Sequence, residues 1–160
     1  MKIRNIVKTL CRILPDKVYL NIKFFLNFGR TINFSNPQTY NEKLQWLKLY
    51  DRNPLYTTLV DKYAVKVWAR SIIGDEHIIP TIGIWDSFDK IDFSNFPDQF
   101  VLKCTHDSKS VIVCNDINKF EYDGAKKHLE KALRRNYFYE GRQWPYKNVL
   151  PQIIAEKYMV

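Results

Sequence analysis

One lysine stands in an otherwise apolar, strand-like run near the middle of the chain, and its ammonium group could do chemistry there. The run reads Phe100-Val101-Leu102-Lys103-Cys104-Thr105-His106. A lysine ammonium neutralises phosphate oxygens as a compact charge with three donors. The competing interpretation is structural, because a strand lysine can also extend its stem along the surface and keep its charge in water.

A polar loop follows this run and offers a second candidate. His106-Asp107-Ser108-Lys109-Ser110 separates it from a short apolar segment, residues 111–114, and this spacing is typical of a hairpin. The neighbouring histidine and aspartate could act as an acid–base pair, but in a short connection they more often form a turn. His77 and His128 have no partner nearby in the sequence, so we expect them at the surface.

The cysteines indicate free thiols and not a metal site. Cys11, Cys104 and Cys114 have neither CxxC spacing nor the Cys/His spacing of a zinc site. Cys104 and Cys114 could face each other across the hairpin, although a reducing compartment would keep them unpaired. No run approaches the roughly 18 apolar residues of a membrane span. Lys8 and Arg12 interrupt any signal-peptide core, so we expect a cytoplasmic protein.

Positive charge is concentrated at the start of the chain. The formal net charge is +8, and residues 1–30 hold seven basic side chains against one acid. The other 130 residues hold 18 basic and 16 acidic side chains, which is close to neutral. A nucleic-acid-binding domain would concentrate its charge on a folded face, so we expect no nucleic-acid partner.

The basic start has the pattern of an amphipathic helix. Residues 2–14 repeat apolar side chains at helical spacing, with basic side chains on the opposite face. Such a helix can lie on an anionic membrane surface, which would place the protein peripherally at the inner face of the membrane. The alternative is that it packs its apolar face on the rest of the protein and leaves its lysines in solvent. We expect a basic helical arm over residues 1–35 and a domain over residues 36–160.

The remaining pattern predicts an α+β fold, with helices packed on a small, mostly antiparallel sheet. Thr39 and Glu42 have the spacing of a capping box, which predicts a helix start. Further helices are expected over residues 54–73, with a break at Asp61-Lys62, and over residues 116–135. Strands are expected over residues 78–85, 100–105, 111–114 and 151–160.

Several segments, in this order and spacing, resemble the TupA-like branch of the ATP-grasp superfamily. They are residues 41–48, 61–62, 84–86, 103–108, 144–148 and 156–159. The resemblance covers nearly all of residues 15–159 and implies the N-terminal portion of an ATP-grasp fold. That branch is named for teichuronopeptide biosynthesis, and its members often occur with polysaccharide genes.

The resemblance implies ATP as the bound nucleotide and assigns roles to individual residues. Lys62 and Lys103 would neutralise phosphate oxygens, and the loop that contains Ser108 and Ser110 would fold over the triphosphate. The backbone of a hinge would pair with the adenine edge, with Lys157 close to the ring. The hinge residues are Glu156, Lys157, Tyr158 and Met159.

Two departures from the family pattern count against catalysis by this chain alone. The loop after Lys103 lacks the glycines that let backbone N–H groups approach phosphates closely. The magnesium-binding carboxylates and asparagine of the superfamily would lie beyond Val160. We therefore expect a truncated protein that binds ATP weakly or vestigially and has no catalytic or metal-binding residues. It would be either a remnant or one part of a split enzyme whose C-terminal half is encoded separately.

The resemblance also implies a class of function. Full-length relatives would be ATP-dependent carboxylate–amine ligases of cell-surface polysaccharide biosynthesis. The alternative is a non-catalytic, membrane-apposed binding module that works with polysaccharide-assembly proteins. A glycosyltransferase label could follow from gene neighbourhood, but the sequence has no Asp-x-Asp motif. We also expect the last strand to have a free edge with Ile153, Ile154 and Tyr158 uncovered, which would favour aggregation.

Overall fold

A computed structural model describes residues 12–159, which belong to two compact units. The first unit comprises the chain up to Asn53 together with Phe138–Trp144, and the second comprises Pro54–Tyr137 with the residues from Pro145 onward. The predicted helix over residues 2–14 lies largely outside the described range. The arm boundary at residue 35 stays a prediction. No helix within residues 12–159 is both long and apolar enough to cross a membrane.

Six α-helices and four strands form the described part of the chain. The helices are α1 (Asp16–Phe28), α2 (Tyr40–Tyr50), α3 (Leu55–Val60), α4 (Ala64–Ile73), α5 (Tyr122–Leu133) and α6 (Phe138–Gly141). The strands are β1 (Thr81–Trp85), β2 (Phe100–Cys104), β3 (Ile112–Cys114) and β4 (Ile153–Lys157). Short 3₁₀ turns connect them at Asp75–His77, Phe88–Lys90, Phe93–Asn95, Ile117–Lys119 and Trp144–Asn148.

The first unit is organised by α1 and by the start of α2. Helix α1 buries Leu20 and Phe24 against Ile32 and Phe34, and it ends at Gly29, whose φ of 69° is the left-handed conformation that favours glycine. The predicted capping box of α2 is present. The Thr39 hydroxyl accepts from the backbone N–H of Glu42, and the Glu42 carboxylate accepts from the backbone N–H of Thr39.

The helices of the second unit follow the sequence signals closely. The predicted break at Asp61-Lys62 separates α3 from α4, and the Asp61 carboxylate accepts from the backbone N–H groups of Tyr63 and Ala64 at 2.8 and 3.2 Å. The helix predicted over residues 116–135 starts later, at Tyr122. The Asp116 carboxylate accepts from Asn118 N, so the preceding residues form a single 3₁₀ turn.

The four strands form one sheet with the order β1-β4-β2-β3. All three pairings are antiparallel, which confirms the predicted small, mostly antiparallel sheet. The predicted hairpin is β2–β3, with Phe100 opposite Cys114. Cys104 therefore lies farther along β2 and does not face Cys114, and both thiols are free and buried. Burial raises the pKa of Cys104 to about 11.

The last strand is not an edge strand, and the expectation of a free edge there is wrong. Strand β4 pairs with β1 on one side and β2 on the other, so both rows of its backbone groups are hydrogen-bonded. Ile153 and Ile154 are fully buried. The local apolar pattern predicted the strand correctly, but its position in the sheet depends on two long-range pairings.

The hydrophobic core of the second unit lies between one face of this sheet and α5. Alternate residues of β2 and β4 point into it, and α5 contributes its buried stripe. The fully buried members of this core are Phe100, Leu102, Cys104, Leu129, Ala132, Ile153 and Ala155. An aromatic group of Phe93, Phe96, Phe100, Phe120 and Tyr122 packs at one end with tilted and edge-on rings.

A truncation in β4 tests its central position. We expect Ile153→Ala to lower the free energy of unfolding by roughly 2–5 kcal/mol, because it leaves a cavity in the core. Val113→Ala, on the edge strand β3 and half-exposed, is the control and should cost under about 1 kcal/mol. Urea unfolding monitored by circular dichroism measures both variants. Equal small losses would contradict the central placement of β4.

Acid should weaken the capping box of α2. Hydrogen bonds from the backbone of Thr39, and then the contact with Arg30, hold the pKa of Glu42 at about 2, below its ordinary value of 4.5. A depressed carboxyl pKa stabilises the fold above the unfolded-state pKa, and that stabilisation is lost as the pH falls from about 4.5 towards 2. Thermal melting between these limits should show a smaller drop in midpoint for Glu42→Gln than for the unaltered protein.

Candidate functional site

Two charged side chains project from the face of the sheet opposite the hydrophobic core. Alternation along β2 directs Leu102 and Cys104 into the core and Lys103 to the other face. Alternation along β4 likewise directs Glu156 away from the core. The β2–β4 register sets Lys103 opposite Ile154 and diagonal to Glu156. The Lys103 Nζ lies 2.5 Å from the Glu156 Oε2.

Helix α4 brings a second lysine to the same carboxylate. The Lys66 Nζ lies 2.7 Å from the Glu156 Oε1, so each carboxylate oxygen is paired with one ammonium group. All three side chains are largely buried. Burial alone would raise the pKa of Glu156, but the hydrogen bonds and charges of Lys103 and Lys66 outweigh it and hold the pKa below its ordinary value. The group therefore carries one positive charge in excess.

A third lysine, Lys62, lies beside this group and is tied to the backbone. Its Nζ donates to the carbonyl oxygens of Cys104, at 2.9 Å, and Asp107. Its backbone N–H donates to Thr105 O at 3.1 Å. Burial, aided by the positive charge of Lys103, lowers the pKa of Lys62 despite the opposing charge of Asp107. Lys62 thus holds the backbone at and just after the end of β2, and it adds positive charge to the same region.

These side chains line one open cavity of about 310 Å³. Its charged wall holds Lys62, Lys66, Lys103 and Glu156, and its other wall is Val65, Ala69, His77, Ile78 and Ile79. The volume is at the lower end of the range of roughly 300–1,000 Å³ for small-molecule sites. Clustered ammonium groups beside an aliphatic wall suit a ligand with an anionic part and a flat apolar part.

The loop between β2 and β3 is held closed by buried polar contacts. The Asp107 carboxylate accepts from the Ser110 hydroxyl and, at 3.0 Å, from Arg135 Nη2. The Ser110 hydroxyl in turn accepts from Cys104 N at 2.8 Å. The ring of His106 is buried, and its Nε2 lies 3.2 and 3.0 Å from the carbonyl oxygens of Ala132 and Arg135. Burial lowers the pKa of His106. These contacts give the histidine and aspartate structural partners in the loop and around the C-terminal end of α5.

Of the residues predicted to bind nucleotide, the structure brings Lys62, Lys103 and Glu156 to one cavity. Ser110 is buried inside the loop, whereas Ser108 is exposed and lies 2.6 Å from the hydroxyl of Tyr137. Lys157 and Tyr158 line a separate cavity of about 640 Å³, and Met159 is exposed. The contact of this hinge segment with adenine stays a prediction.

The sequence reasoning missed Lys66, His77, Ile78 and Ile79. Lys66 follows Lys62 by four residues, which is the spacing of one helical turn, but Lys62 precedes the first residue of α4. The signal for Lys66 was therefore weak. His77 and Ile79 are exposed residues in a connection, and no periodic pattern marks them as a cavity wall.

Comparison with known protein families gives a match. A family profile described as TupA-like ATPgrasp matches residues 42–160, a range that contains all four strands and every lysine of the cavity. ATP-grasp families bind ATP in general. No curated protein and no solved structure is significantly similar to the chain.

Two serines of the loop, both predicted to cover phosphate, should respond differently to truncation. Ser110→Ala leaves Cys104 N and one Asp107 carboxylate oxygen without their buried partner, and we expect a loss of roughly 1–3 kcal/mol in the free energy of unfolding. Ser108→Ala is the matched control and should change it by under about 0.5 kcal/mol, because Ser108 is exposed. Urea titrations that give equal values would contradict the closed loop.

Proposed function

Because the chain belongs to the TupA-like ATP-grasp family, we propose that the cavity lined by Lys62, Lys66, Lys103 and Glu156 binds ATP. The observation that carries this proposal is the convergence of two ammonium groups on one buried carboxylate, at 2.5 and 2.7 Å, with a third ammonium group beside them. An excess of positive charge in a partly buried cavity attracts a polyanion more strongly than the same charges in water.

The lysines have donors left for phosphate oxygens. An ammonium group carries three N–H donors, so Lys66 and Lys103 can each keep the contact with Glu156 and donate to a ligand as well. Lys62 donates to two carbonyl oxygens and has one donor left. In this arrangement Glu156 keeps the ammonium groups in place before the nucleotide arrives, which lowers the cost of ordering them on binding.

The aliphatic wall suits the base of the nucleotide. Val65 and Ala69 come from one side of α4, and Ile78 and Ile79 follow the turn after it. A purine ring packed against these aliphatic side chains removes apolar surface from water, which stabilises the complex by roughly 25 cal/mol per Å². Binding of this kind orients the triphosphate towards the lysines.

We propose further that the nucleotide serves an ATP-dependent carboxylate–amine ligation in cell-surface polysaccharide biosynthesis, for which the described residues are not sufficient alone. In that reaction a carboxylate oxygen of the acid attacks the γ-phosphorus, the bond to the β,γ-bridging oxygen breaks, and an acyl phosphate and ADP form. The amine nitrogen then attacks the acyl carbon, phosphate leaves, and the nitrogen loses a proton. The described residues contribute charge neutralisation and positioning, on which phosphoryl transfer chiefly depends.

The residues around the cavity do not fit a magnesium site. Glu156 is the carboxylate among its lining residues, and both of its oxygens are engaged by ammonium groups. Magnesium takes oxygen ligands, usually carboxylates together with substrate phosphates.

Nucleotide titrations of single lysine variants test the ATP proposal. We expect Lys103→Ala and Lys66→Ala to raise the Kd for ATP by about tenfold or more, because each removes a charge-assisted hydrogen bond worth roughly 1.5–3 kcal/mol. Lys109→Ala, at the exposed tip of the loop, is the matched control and should change Kd by less than about twofold. Isothermal titration calorimetry with ATP measures all three.

Two results would contradict the proposal. One is the lack of saturable ATP binding by the unaltered protein, and the other is an equal loss in Lys103→Ala and Lys109→Ala. Thermal melts of each variant establish that the fold is intact. Lys157→Ala, measured alongside, separates the hinge prediction from this cavity, because Lys157 lines a different one.

A further inference from the structure

His106 is a buried titratable side chain that the lysine cavity does not use. It lies in the loop between β2 and β3 and is only 1% exposed. Its Nε2 lies 3.2 Å from Ala132 O, in the last turn of α5, and 3.0 Å from Arg135 O, just after that helix. Because a carbonyl oxygen only accepts hydrogen bonds, Nε2 carries a proton and donates to both. The ring therefore ties the loop to the end of α5.

The other ring nitrogen of His106 is in no position to hold a second proton. Its Nδ1 is buried and has no hydrogen-bond partner within residues 12–159. In the neutral ring this atom carries a lone pair, whereas protonation would turn it into a charged N–H donor. A buried charged donor without an acceptor costs far more free energy than an unpaired neutral atom. The closed loop therefore accommodates the neutral ring and disfavours the imidazolium.

The charged groups around the ring do not reverse this preference. Asp107, in the same loop, favours a charged His106, but its carboxylate already accepts from Arg135 Nη2 at 3.0 Å. Lys62, between α3 and α4, opposes a second positive charge. Cys104, on β2, is an uncharged thiol at neutral pH, because burial raises its pKa to about 11. Burial is the largest influence on His106, and it lowers the pKa of the ring.

We propose that His106 is a proton-sensitive latch on the loop between β2 and β3. The neutral ring holds the loop closed on the end of α5, and uptake of one proton opens the loop, so that Nδ1–H donates to water. Opening also breaks the hydrogen bond from Lys62 Nζ to Asp107 O, so the state of the latch affects the position of a lysine in the candidate nucleotide cavity. The latch itself needs no nucleotide, because its contacts join the loop to the end of α5.

Amide hydrogen exchange of the full chain without nucleotide tests the proposal. The reporter is the backbone N–H of Cys104, which donates to the Ser110 hydroxyl within the closed loop and exchanges when the loop opens. The pKa of His106 lies below the ordinary 6.5 in the closed loop and returns to it in the open loop. The open form therefore binds more protons as the pH falls through 6.5. After correction for intrinsic exchange, the opening constant should rise roughly three- to tenfold from about pH 7.5 to about pH 5.5.

The three histidines of the chain supply the variant and its matched control. In His106→Gln the side-chain amide can donate to the same carbonyl oxygens but does not titrate, so the rise should fall below about 1.5-fold. His77→Gln combined with His128→Gln changes two exposed rings and should keep the full rise. If circular dichroism shows that His106→Gln does not fold, the ring resonances of His106 in the unaltered protein replace it. At pH 6.5 they should be those of the neutral imidazole.

Three results would overturn the proposal. The first is an opening constant in the unaltered protein that does not change with pH, and the second is a rise that His106→Gln retains or that the exposed pair abolishes. The third is a His106 ring that is charged at pH 6.5 while the Cys104 N–H stays protected. Failure of this proposal leaves the ATP titrations unaffected, because His106 does not line the nucleotide cavity.

Discussion

The insertion of β4 between β1 and β2 is the constraint on which the second unit depends. This strand closes both long ladders of the sheet, and its alternation sends Ile153 and Ala155 into the core and Glu156 to the opposite face. Without β4, the hairpin of β2 and β3 and the strand β1 have no hydrogen-bonded connection with each other. The same pairing places a carboxylate beside Lys103. Fold and candidate site therefore rest on one set of backbone contacts.

The charge cluster on that face works against the stability of the unit. Burying two ammonium groups and a carboxylate costs several kcal/mol of hydration per ion, and the attraction between them roughly offsets this cost only when the geometry is good. Lys66 and Lys103 meet separate oxygens of Glu156, which is such a geometry. An apolar trio of similar volume would stabilise the fold at least as well. Retaining charges at such a position is typical of a binding site.

Local sequence signals predicted the parts of the fold that local physics controls. The capping box at Thr39 and Glu42 and the break at Asp61-Lys62 are formed by residues within one turn of each other. The hairpin of β2 and β3 is likewise encoded by a short connection. The order of the strands is not local, because β4 pairs with segments far away in the chain. For this reason the sequence indicated a strand at its end but misplaced it at an edge.

The candidate site was likewise predictable only where local sequence signals mark its residues. Lys103 could be named because it interrupts an apolar strand, and the resemblance to a family added Lys62 and, as a hinge residue, Glu156. Lys66 was not predicted, because its contact with Glu156 depends on how α4 packs against the sheet. Ser108 and Ser110 were given one role, but the buried hydrogen bonds of Ser110 separate it from its exposed neighbour. Such contacts come from tertiary packing, which alternation along a strand does not encode.

The position of β4 also has a consequence for biosynthesis. Strand β4 follows the other three strands in the chain and lies between two of them. The sheet that joins β1 to the β2–β3 hairpin therefore cannot form until β4 has left the ribosome. During that interval the edges of β1 and β2 that pair with β4 have no hydrogen-bonding partner there, and long-range strand pairing is slow to form. The nascent protein should therefore depend on chaperones until β4 emerges, whereas the capped helix α2 needs only neighbouring residues to form.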